Sequence, residues 1–169
     1  MHRRHGDCTL VARGLTLGLV LACAASPARR ERAAPGAEFP NLERQVARLV
    51  NEHRATRRLS RLAFDTGLAT MARTHSGAMA ARRVPLGHDG FEERAELVGQ
   101  VLPFLRIAEN VALNDYPVAR TAAVALRGWL RSAHHLENIE GSYNVTGVGI
   151  VRAKDGTFYY TQLFVARRR

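Results

Sequence analysis

Beyond residue 23 the chain has no cysteine; its two, Cys8 and Cys23, both lie in the first segment. An internal disulfide framework is thereby excluded, and folding rests on core packing alone. Lysine is nearly absent as well: Lys154 is the single one among 25 basic residues, so the formal charge of +10 is carried by arginine. Apart from Arg29-Arg30-Glu31-Arg32 and the terminal Arg167-Arg168-Arg169, those arginines are scattered. They read as a solvated basic surface, compatible with attraction to anionic lipid or cell-wall polymer, and make nucleic acid an unlikely partner. There is no Gly-x-Ser-x-Gly elbow and no core thiol for a Cys/His arrangement. There is no phosphate-binding loop either, because Gly147-Val148-Gly149 falls inside a strand pattern and marks close packing of another layer.

What is present begins with an export signal. Arg3, Arg4 and Arg13 precede an apolar run from Leu15 to Ala25 that is too short to span a bilayer as a folded helix. Residues 1–25 therefore read as a signal peptide. Ala22-Cys23-Ala24 fits ordinary cleavage, while Val20-Leu21-Ala22-Cys23 resembles a lipobox that would make Cys23 a lipidated membrane anchor. Residues 26–39, rich in Ala, Arg, Pro and Gly, read as a flexible linker. A domain over 40–166 and a basic tail at 167–169 complete the division. With 46% hydrophobic residues, the chain can bury an ordinary core.

Pro40-Asn41 opens a first helix, with Asn41 as its N-cap. Leu42, Val46, Leu49 and Val50 form its apolar face, and Glu43, Arg44, Arg48 and Glu52 face water. Asp65 or Thr66 caps a second helix, in whose apolar stripe His75 reads as a core histidine bonded to a backbone carbonyl. Residues 84–107 show little regular structure beyond a short helix permitted by Phe91, Ala95 and Val98; His88 lies here between Gly87 and Gly90. Arg106 to Leu113 reads as extended and carries Glu109. Asp115 caps a third helix with Val118, Ala122, Leu126 and Trp129 inward. Thr146 to Arg152 and Phe158 to Ala166 form two strands around a turn at Lys154-Asp155-Gly156. Both faces of the last strand are mostly apolar, so helices cover the sheet on both sides, giving an α/β/α three-layer sandwich.

The chemistry concentrates in Trp129 to Asn138, which places His134 and His135 beside Ser132, Glu137 and Asn138. Neighbouring histidines point about 100° apart on a helix, so one of them at most turns inward. His88, Glu109 and His135 are a set able to hold a divalent metal such as Zn²⁺, or to act as an acid/base group without metal. His88 and His135 are 47 residues apart, and no local spacing brings them together.

Several segments, in order, resemble the CAP superfamily (cysteine-rich secretory protein, antigen five, pathogenesis-related one) in its bacterial extracellular, SCP-like branch. They are Leu49-Val50-Asn51-Glu52-His53-Arg54, Leu68 through His75-Ser76 to Met79, and His88-Asp89-Gly90-Phe91. Glu109-Asn110-Val111-Ala112, Trp129 to Asn138, Gly147-Val148-Gly149 and Tyr159 to Phe164 complete the series. The resemblance implies an α/β/α sandwich whose central cavity is lined by His88, Glu109, His135, Ser132, Asn138, Tyr159 and Gln162, with His88 and His135 as candidate metal ligands. Ala133-His134 stands where the family has Pro-Gly, Leu136 replaces an arginine, Ala108 replaces a glycine, and Ser132 stands near the place of a second glutamate that eukaryotic members carry. The resemblance implies a secreted, periplasmic or outer-envelope protein. Its expected role is that of a monomeric, non-catalytic module holding a small hydrophobic ligand or cell-envelope component (a lipid, glycan or peptide) in its groove. The alternative it leaves is a metal-assisted, protease-like hydrolase using His88, His135 and Glu109.

Overall fold

The computed structural model describes residues 39–167. The expected signal peptide, the lipidation at Cys23, nearly all of the linker and the last two residues of the tail lie outside them. Five helices and four strands follow in the order α1 (Pro40–Thr56), β1 (Ala63–Phe64), α2 (Thr66–Ala80), α3 (Phe91–Val101), β2 (Phe104–Asn114), α4 (Val118–Leu130), α5 (Ala133–Glu140), β3 (Val145–Arg152) and β4 (Phe158–Arg167). The sheet order is β1-β3-β4-β2, with β1 parallel to β3 and the other pairs antiparallel. β2 is thus an edge strand, and the two-residue β1 closes the opposite edge.

Two apolar clusters flank the sheet. Val46, Val50, Ala122 and Trp129 from α1 and α4 pack with Val148, Ile150, Phe158, Tyr160 and Phe164 on one face. Leu68, Ala72 and Val98 from α2 and α3 pack with Val145, Leu163 and Val165 on the other. The alternation of β4 therefore serves both layers, and the three-layer sandwich is the observed architecture. α2 lies unusually close to β3, because a Cβ on Gly147 or Gly149 would collide with the backbone at Ala69 or Arg73.

The structure corrects four local expectations. α1 starts at Pro40 without a side-chain cap, so Asn41 caps nothing. Glu43 is buried rather than solvated: its carboxylate accepts from Arg73 at 2.8 Å twice and from the Ile150 amide at 3.0 Å. Asp115 does not cap α4, and Val118 stays exposed while Thr121 and Ala125 turn inward. The region 84–107 is less irregular than expected, since α3 runs for 11 residues. Asp65 does cap α2, accepting from the Leu68 amide at 2.8 Å.

Polar side chains staple these layers where no disulfide can. Asn51 exchanges two hydrogen bonds with the backbone of Leu62, at 3.0 and 2.8 Å. Arg54, buried at the end of α1, donates to the carbonyls of Ser60, Ile139, Gly141 and Tyr143. Burial lowers the Arg54 pKa, and the nearby Glu140 charge opposes that shift. Ser76 Oγ bonds the Gly149 carbonyl and Thr161, each at 2.9 Å, tying α2 to the sheet.

Candidate functional site at the edge strand

Glu109 lies midway along β2, in register with Leu163, and its side chain is 1% exposed. Burying a carboxylate is costly unless charge and hydrogen bonds compensate it. Two partners do so here. The Arg94 guanidinium grips it with both arms, Nε to Oε2 at 2.9 Å and Nη2 to Oε1 at 2.8 Å. His88 Nδ1–H donates to Oε1 at 3.0 Å. Arg94 also donates to the Asp89 carbonyl at 2.8 Å, so it fastens the His88 loop to α3.

The loop itself is locally determined. Gly90 adopts φ 73°, a left-handed turn that suits glycine, and opens α3. His75 Nε2–H donates to the Gly87 carbonyl at 2.8 Å, as expected of a core histidine, and holds the chain just before His88. The His88 ring is left 51% exposed, with Nδ1 directed to the carboxylate. A neutral imidazole bonded in this way presents the Nε2 lone pair to solvent as an acceptor.

α5 reaches the same place around the sheet edge. Asn138 Nδ2 donates to the Glu109 carbonyl at 3.3 Å and to Asn110 Oδ1 at 2.9 Å, and Asn110 Nδ2 donates to the His135 carbonyl at 3.0 Å. Trp129 Nε1 donates to the Val111 carbonyl at 2.9 Å. Backbone carbonyls of the edge strand are thereby satisfied by α4 and α5. The His135 pKa is lowered, first by burial and then by the neighbouring charges of His88 and His134. His135 is therefore biased toward the neutral form close to His88.

His88, Glu109, His135 and Asn138 thus come together. Ser132 stands at the N-cap of α5, but its hydroxyl makes no capping bond. Tyr159 does not join the group, lining instead a cavity of about 270 Å³ with Met79, Pro85 and Leu86. Gln162 is in register with Asn110 and fully buried, its amide bonded to Thr146 at 3.0 Å and its Oε1 meeting no donor among the described residues.

The donor set does not fit a three-ligand metal centre. Both Glu109 oxygens are taken by Arg94, which leaves two imidazoles, and among the described residues no three His, Cys, Asp or Glu side chains are grouped to hold a metal ion. Arg94 is the residue that sequence reasoning missed. The signal was available: it falls three residues after Phe91 and four before Val98, inside the apolar stripe of α3, where a charge requires a buried partner.

The fold and this site define a known class. The model of the cysteine-rich secretory protein (CAP) family matches residues 47–164, and the chain belongs to that family. Its structure is similar to an outer surface protein of Borrelia burgdorferi at 19% identity and TM-score 0.65, covering 79% of this chain and 99% of that one. It is also similar to an extracellular SCP-domain protein of Bacillus anthracis at 28% identity and TM-score 0.61, covering 75% of this chain but 40% of the other. A cysteine-rich secretory protein of Staphylococcus aureus matches at 19% identity and TM-score 0.59, covering 75% and 39%. The chain thus spans well under half of the latter two. No curated protein sequence matches it significantly.

Proposed function

We propose that this is an exported, non-catalytic binding module whose histidine face takes a ligand rich in hydrogen-bond donors, such as a glycan or peptide. One observation carries the reading: the carboxylate is 1% exposed and held by three hydrogen bonds from Arg94 and His88, which withdraws it from both metal and substrate. What remains open is the His88 imidazole, with the less exposed His135 beside it. These serve recognition by accepting hydroxyl or amide protons. Export is supported by the signal-like N-terminus and by relatives described as outer surface or extracellular proteins.

Native mass spectrometry of protein from its own host tests this. The expected result is a bound organic ligand with at most substoichiometric zinc, the ligand being lost in His88→Ala while folding is kept. The carboxylate-backed tautomer of His88 gives some support to a hydrolase, since a base needs such orientation. Stoichiometric zinc, with peptidase activity abolished in both His88→Ala and His135→Ala, would establish that reading instead.

A further inference from the structure

A groove of about 790 Å³, not lined by His88 or His135, lies between α2 and the β3–β4 hairpin. It follows α2 from Thr70 to Ala81, a length of roughly 17 Å at 1.5 Å per residue. Small residues line it, among them Gly77, Ala80, Ala81 and Ala153. It is lined by Arg82, Arg83, Arg152 and Lys154, and by Arg73, which is bound to Glu43, against one lining carboxylate, Asp155. Arg152 is held along the wall by its bond to the Gly156 carbonyl at 3.1 Å and by its place over the Phe158 ring.

α2 ends at this groove, with an arginine in the left-handed position as at Arg58 after α1. The amide of Arg83 bonds the Ala78 carbonyl and that of Arg82 bonds the Met79 carbonyl, at 2.9 Å each, which is the double bond pattern of a left-handed helix stop. Arg82 has φ 56° there, at a position where glycine is favoured and another residue is strained. An arginine is held in that strained place, and with Arg83 it sets two consecutive guanidinium groups at the groove's end. Arg82 pairs with Asp155 at 3.6 Å, but the two side chains are 83% and 50% exposed and the pair holds weakly.

We propose that this groove binds a linear phosphate polymer without aromatic bases. Guanidinium forks match phosphate oxygens, and four cations gathered at the end of α2 and the hairpin turn suit closely spaced charges better than a single head group. No aromatic side chain lines the groove, so it offers no stacking platform for nucleobases. Its concave form takes one strand rather than a flat bilayer. The inference is independent of the histidine face.

The probe is a short linear polyphosphate, titrated at near-physiological salt. Arg83→Ala with Lys154→Ala weakens binding by roughly tenfold or more, as expected for lost charge-assisted contacts. Asp155→Asn tightens it. Arg82→Gly weakens binding yet raises thermal stability, a pair of effects that a purely structural arginine would not give. His88→Ala leaves it unchanged, which separates this groove from the proposed histidine-face function. Arg127→Ala with Arg131→Ala, two exposed positions on or just after α4, changes it by less than about twofold. Equal loss in that control pair would reduce the binding to bulk charge and overturn the proposal. So would absence of binding, full competition by free inorganic phosphate, or groove-dependent preference for oligouridylate or phosphatidylglycerol vesicles.

Discussion

Arg94→Met removes the cation that keeps Glu109 in the protein interior. The carboxylate is 1% exposed and the arginine side chain 12%, so the pair is almost fully withdrawn from water. Removing one partner of such a pair costs about 3–5 kcal/mol. His88 still donates one bond, which places this case near 3 kcal/mol, or about 10 °C in Tm for a domain of this size. Urea unfolding followed by the fluorescence of Trp129, the chain's single tryptophan, reads that loss directly. The decisive comparison is Arg94→Met with Glu109→Gln, where no charge is stranded. It is expected to recover at least about 1 kcal/mol over Arg94→Met alone. A double variant no more stable than Arg94→Met would show that the carboxylate is not held in this pair, and the account of the site would fail with it.

Further outcomes follow from the same physics. Arg54→Lys should cost nearly as much as Arg54→Met, on the order of 3 kcal/mol by chemical denaturation, because an ammonium cannot reach the carbonyls that the guanidinium fork spans. His135 has a pKa lowered below its ordinary value near 6.5, so its contribution is present above that pH and is lost as pH falls. Tm of the wild type should drop more than that of His135→Asn between pH 7 and 5, and equal drops would refute the burial of the ring. Tyr160, whose phenol bonds Thr121, is pushed up to about 12 by burial, so its stabilisation is full below pH 10 and is lost as pH rises toward 12. Tyr160→Phe should be about 1 kcal/mol less stable at pH 7 yet lose less on alkaline titration.

Periodicity made the layers legible. The two-faced apolar pattern of β4 required cover on both sides of the sheet, and α2 and α4 appear where their stripes indicated. The convergence of His88 and His135 was visible only through resemblance, since it depends on β2 lying at the sheet's edge, and strand order is a long-range property. Local chemistry misled where tertiary partners overrode it. Glu43 looked like a surface carboxylate on an amphipathic helix until Arg73, 30 residues on, supplied its counter-charge. Asn41 and Asp115 are favourable capping types, but α1 starts with Pro40 as its first residue and α4 starts directly after Pro117. Arg54 and Asn51 belong to a family-like segment, and their work is architectural because each bonds backbone far along the chain.

That architectural work has a consequence for where the domain can mature. A guanidinium holding four carbonyls clasps the end of α1 to the segment after α5, joining residues more than 80 positions apart, as a cystine would in a small extracellular domain. Unlike a cystine, this clasp needs no oxidant to close and no reductant opens it. Residues 39–167 should therefore fold alike in a reducing cytosol and in an oxidising exterior, and thiol reagents should leave their melting curve where it was.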